Sequence, residues 1–115
     1  MKTIPPLLRT IVLACAAGLL VSAPALAADP LALLVIKNHK FEPAELKVPA
    51  GKRVKLTVHN QDATPEEFES KALKAEKVIP GGAKATVFIG PLKPGRYTFV
   101  GEYNEATAKG VVIAE

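Results

Sequence analysis

The sequence predicts an all-β domain folded as a small Greek-key β-sandwich, and three observations carry that prediction. After Pro30, turn signals rich in Gly, Pro, Asn and Asp recur at intervals of about ten residues, the spacing of short strands in a small antiparallel sandwich. Residues 53–59 alternate, with Val54, Leu56 and Val58 on one face and Arg53, Lys55, Thr57 and His59 on the other. That is the period of a strand with one side in the core and one in water. Finally, Leu92, Gly95 and Tyr97 have the spacing of a tyrosine corner, in which the hydroxyl bonds backbone a few residues upstream and fixes a Greek-key crossing.

The elements follow in order. Residues 1–27 carry Lys2 and Arg9, an apolar run over 10–20, and a small-residue end at Ala23, Pro24, Ala25, Leu26 and Ala27. Basic, apolar and small parts in that order predict a secretory signal peptide cleaved after Ala27. A retained membrane anchor is the competing reading; Gly18, Ser22 and Pro24 break the run and no second apolar stretch follows. A lipoprotein site at Cys15 fails because the apolar stretch continues past it toward the better cleavage site. The expected domain is therefore residues 28–115, periplasmic and without a membrane span once the leader is removed. Met1 and Cys15, the chain's two sulfur-bearing residues, both fall in the leader, so this domain has neither a disulfide nor a thiolate.

Taking Lys2 and Arg9 from the 15 basic residues leaves 13 against 11 acidic, a net of +2. So small an excess, with no interleaving of aromatic and basic residues, excludes a nucleic-acid binder. Strands are expected over 31–36, 45–48, 53–59 and 66–70, the last with Phe68 inward. Pro49, Ala50 and Gly51 make a turn, and residues 60–65 a loop by composition. Residues 71–75 have helix-like composition but are short and uncapped, so they read as a turn leading to a short strand that ends at Pro80, Gly81 and Gly82. Strands over 86–89, 96–100 and 111–114 complete the sandwich.

In this order the signals resemble the cupredoxin-like domains of bacteria, specifically the EfeO-type family associated with periplasmic ferrous-iron uptake. The resemblance rests on Phe41-Glu42-Pro43, Val48-Pro49-Ala50-Gly51-Lys52, Asn60-Gln61-Asp62 through Thr64-Pro65-Glu66-Glu67-Phe68-Glu69, Ile79-Pro80-Gly81-Gly82, Pro94-Gly95-Arg96-Tyr97-Thr98-Phe99 and Lys109-Gly110-Val111-Val112. It implies a cupredoxin-like Greek-key β-sandwich. It also implies where a blue copper protein would hold its metal: a His at Glu66, the Cys at Gly101, a second His at Asn104 and a Met near Lys109. None of those ligands is present, and a type 1 site owes its electronic character to a Cu–thiolate bond, so no type 1 copper is expected. EfeO-type relatives also carry cysteines near Phe41 and Gly101, absent here. What the resemblance leaves of that family's suggested metal site is the pair Glu67 and Glu69.

The residues themselves support an ion site. Asp62, Glu66, Glu67 and Glu69 place four carboxylates in eight residues without a Lys or Arg among them. On a strand Glu67 and Glu69 share a face, and the topology implied by the resemblance brings Glu102 beside them. The expected metal ligands are Glu67, Glu69 and Glu102, with Glu66 and His39 as helpers, a set suited to iron or copper ions. The competing reading is a solvated acidic edge answered by Lys37, Lys55, Lys71 or Lys109. His59 and Tyr103 are weaker candidates, and Asn104 shapes its loop. No nucleophile motif, phosphate-cradling loop or zinc-spaced set is present, so an enzyme is not expected beyond an accessory part in ferrous-iron oxidation. The resemblance implies a membrane iron permease or a second periplasmic metal-binding protein as partner. Alternatives are a metal-free module whose acidic face binds a basic partner, and a redox subunit that shares copper across an interface.

Overall fold

A computed structural model describes Thr3, Gly18 and residues 28–115; the expected leader, residues 1–27, otherwise lies outside the described residues. Nine strands among the described residues form two sheets. One has the order β2-β1-β4-β7, built from β1 (Leu31–Lys37), β2 (Lys40–Glu42), β4 (Val54–Asn60) and β7 (Lys84–Ile89). The other has the order β3-β9-β8-β5-β6, built from β3 (Glu45–Val48), β9 (Lys109–Ala114), β8 (Gly95–Gly101), β5 (Glu66–Ser70) and β6 (Ala75–Ile79). A 3-10 turn, Glu102–Asn104, follows β8. This is the all-β Greek-key sandwich that the sequence predicts. No helix of the described residues is long and apolar enough to cross a membrane.

Alternating side chains build the core. Val54, Leu56 and Val58 of β4 are fully buried between Lys55, exposed, and the half-buried Thr57, as the sequence pattern requires. Phe41, Phe68 and Phe99, one from the first sheet and two from the second, meet at the centre. Phe41 stands edge-on to the other two rings at centroid distances of 6.2 and 4.9 Å, the arrangement that aromatic quadrupoles favour. The Tyr97 hydroxyl donates to the Lys93 carbonyl at 2.7 Å, the tyrosine corner that the spacing predicts.

Two features correct the sequence reading. The sandwich is not wholly antiparallel, because β1 runs parallel to β4 and β3 parallel to β9. The chain crosses to the opposite sheet between these strands, so each returns in the same direction beside an earlier or later partner. Second, β2 is an additional strand. Asn38 and His39, at φ 52° and 56°, make a two-residue turn that pairs Lys37 with Lys40, the twist a tight hairpin needs. The turn and short strand expected after residue 70 are present: β6 starts at Ala75 and pairs antiparallel with β5, setting Glu69 opposite Glu76.

Candidate metal centre

Strand β5 presents its acidic residues in two directions. Glu66, Phe68 and Ser70 are buried, at 1, 0 and 3 % exposure, while Glu67 and Glu69, of the opposite parity, stand on the outer side. The loop before the strand is held by Asn60, whose amide donates to the carbonyls of Thr64 at 2.8 Å and Ile79 at 3.1 Å and whose oxygen accepts from the Asp62 N–H at 3.0 Å. Asp62 in turn accepts from the N–H groups of Asn38 at 2.8 Å and His39 at 3.0 Å. These bonds, that to His39 foremost, hold the Asp62 carboxyl below its ordinary range.

On the inner side, the Glu66 carboxylate is committed to backbone and amide donors. Its Oε1 accepts from the Tyr103 N–H at 2.9 Å and the Glu67 N–H at 3.0 Å, and its Oε2 accepts from Asn104 Nδ2 at 2.6 Å. A Cβ placed on Gly101 would lie 2.7 Å from Glu66 Cδ and 2.6 Å from Ala108 Cβ, far inside van der Waals contact. Glu66, Gly101, Asn104 and Ala108 therefore close around one point, where the blue copper resemblance places its ligands. Copper of that type does not fit. The point has no thiolate or imidazole, and its carboxylate is already hydrogen-bonded where a cysteine side chain would enter.

The outer side holds the candidate centre. Glu67, Glu76 and Glu102 each offer a carboxylate oxygen within 4.8 Å of the others. Glu67 is 7 % exposed, whereas Glu76 and Glu102 are open to solvent. Glu69 lies across the ladder from Glu76 and also senses Glu102. Among the described residues no Lys or Arg nitrogen lies within 4.0 Å of these four carboxylates; the ion pairs are His39–Asp62, Lys47–Glu115, Arg53–Asp29 and Arg96–Glu45. The lysines that could have answered the acidic edge do not close on it, although Lys71 partly offsets the charge around Glu69.

Uncompensated charge is taken up by a proton. A hydrogen bond with Glu76, then burial, then hydrogen-bonded and charge contacts with Glu102 push Glu67 up to about 7, so the group shares a proton near neutrality. Burial and the Glu102 charge also raise Glu69. Burial, then the charges of Glu67 and Glu102, raise the Tyr103 hydroxyl. Beside the cluster, an open cleft of about 390 Å³ is lined by Glu69, Lys71, Thr98, Val100, Glu102 and Glu105 among others. Such an arrangement can coordinate a cation through carboxylate oxygens and leave further coordination positions to water or to an incoming group.

Of the residues proposed from sequence, the structure brings Glu67 and Glu102 together and sets Glu69 next to them. Glu66 faces inward into the hydrogen-bonded plug. His39 sits in the β1–β2 turn, its Nδ1 3.6 Å from Asp62, outside the three-carboxylate group. Glu76 is the member of the carboxylate group that sequence reasoning missed. The signal was the hairpin: once β5 and β6 are joined by the turn at 71–74, antiparallel register carries Glu76 opposite Glu69.

With this geometry in place, the protein's class is plain. The family profile described as cupredoxin-like domain matches residues 10–114, and the chain belongs to that family. It is 40 % identical over 80 residues to an uncharacterized protein of Rickettsia prowazekii, covering 70 % of this chain; the chain spans 64 % of that relative's length. The fold is similar to auracyanin from the photosynthetic bacterium Roseiflexus castenholzii, with a TM-score of 0.63, 17 % identity, and coverage of 77 % of this chain and 99 % of that one. It is also similar to auracyanin A, a blue copper protein from Chloroflexus aurantiacus, with a TM-score of 0.62, 15 % identity, and coverage of 76 % and 100 %. The chain thus has the cupredoxin fold without a type 1 copper donor set, and a carboxylate cluster able to coordinate a metal of another kind.

Proposed function

We propose that the protein is a periplasmic accessory of a ferrous-iron uptake system, freed from its leader after Ala27, that holds iron or copper through Glu67, Glu76 and Glu102 with Glu69 beside them. The observation that carries this reading is the meeting of three carboxylates within 4.8 Å without an ammonium partner among the described residues. Oxygen donors suit Fe(II), Fe(III) and Mn(II), and Cu(II) binds more tightly than Fe(II) or Mn(II) to most such sites. Three ligands from the chain leave coordination positions open, which suits an ion that is received and passed on rather than stored. The EfeO-type resemblance and the leader support the iron-uptake setting, with a membrane permease or a second periplasmic metal-binding protein as the recipient. The likeness to auracyanins is consistent with a non-enzymatic role.

Anaerobic calorimetry with Fe(II), Mn(II) and Cu(II) tests the site. Saturable binding that disappears in Glu67→Ala/Glu76→Ala is expected. Binding no tighter than about millimolar, or binding that survives the double substitution, would remove the metal reading and leave the acidic face as a salt-sensitive surface for a basic partner. The iron-uptake assignment is tested separately, by crosslinking in cells to an iron permease.

A further inference from the structure

The opposite sheet carries a surface of different chemistry. On the outward side of β1 and β7, Leu31, Leu33 and Phe88 are 80, 54 and 50 % exposed. Register places Leu31, Lys55 and Phe88 side by side in one row across β1, β4 and β7, so the Lys55 charge stands between the two apolar groups. Arg53 lies over the Phe88 ring at 4.2 Å and is itself paired with Asp29 at 2.9 Å. The outward strand positions of this sheet carry Lys37, Lys40, Lys55 and Lys84 against one carboxylate, Glu42. These positions lie on a sheet face that presents large apolar side chains among cations.

We infer that this sheet face docks on a bilayer containing anionic phospholipid, Leu31, Leu33 and Phe88 entering the headgroup boundary while the lysines meet phosphate. Apolar insertion combined with cationic attraction is how peripheral proteins hold such surfaces. The positive charge complements anionic lipid. Lysine is depleted in protein–protein interfaces, which argues against a protein occupant. The inference is independent of metal at the carboxylate cluster, which stands on the other sheet.

Residues 28–115 contain every strand and the buried core of the described residues and are the form to test, with circular dichroism confirming that each variant folds. The chain has no Trp, so Leu33→Trp supplies a clean reporter. With phosphatidylcholine vesicles containing phosphatidylglycerol, co-sedimentation and a blue shift of that Trp are expected, both weakened by salt. Lys55→Glu/Lys84→Glu is expected to reduce binding about tenfold or more. Equal binding to vesicles of phosphatidylcholine alone, no binding to either, or affinity unchanged by the charge reversals would overturn the inference. A soluble dimer dissolved by the same reversals would also overturn it, in favour of a protein occupant.

Discussion

At the scale of single residues, two neighbouring glutamates do opposite things because strand parity sends them to opposite sides. Glu66 is a structural anion. Glu66→Ala would strip the partners from the Tyr103 N–H and the Asn104 amide, and is expected to cost about 2–4 kcal/mol in urea unfolding. Gly101→Cys alone is expected to destabilise the fold and to give no thiolate–copper absorption band, because Glu66 holds the space the sulfur would need. Glu67 instead links stability to pH. Its folded value of about 7 lies above the ordinary 4.5, so between those values the folded state keeps a proton that the unfolded chain has released. The contribution of Glu67 to metal-free stability is therefore fully present below that window and is lost as pH rises through it. Thermal melts across the window should show this decline, and Glu67→Gln should flatten it. Because a metal displaces the shared proton, ion binding should strengthen with pH over the same range.

At the scale of elements, the β5–β6 hairpin decides whether there is a site. Its register sets Glu76 opposite Glu69 and the end of β8 brings Glu102 alongside. Glu76→Lys would place an ammonium inside the group. It is expected to stabilise the metal-free domain above neutral pH by about 1 kcal/mol and to abolish the rise in melting temperature produced by added Mn(II) or Fe(II). The tyrosine corner acts on the Greek-key crossing rather than on the site. Tyr97→Phe, which removes the hydroxyl bonded to Lys93, should cost about 1 kcal/mol and leave ion binding unchanged.

At the scale of the whole molecule, the sandwich separates two surfaces. Carboxylates gather at one edge of the five-stranded sheet, and lysines with exposed apolar groups cover the four-stranded one. The core between them has no need of metal, since three phenylalanines and the aliphatic faces of both sheets close it. A chelator should therefore leave the circular dichroism spectrum and cooperative unfolding intact, whereas Phe68→Ala, deleting a fully buried ring, is expected to cost about 3–5 kcal/mol.

Most of the architecture was legible in the residues themselves. The alternation of β4, the inward Phe68, the tyrosine corner and the missing thiolate are local or chemical properties, and a two-residue period or an absent sulfur cannot be altered by what lies across the fold. The acidity of Glu67 and Glu102 was legible in the same way. The partnership of Glu76, the inward commitment of Glu66, the hairpin at Asn38 and His39 and the parallel pairing of β1 with β4 were decided only by tertiary structure. Each depends on which strand lies beside which and in what register: the β1–β4 pairing and the Glu66 bonds to Tyr103 and Asn104 join segments far apart in the chain, and the two hairpins take their register where their strands pack on the shared core.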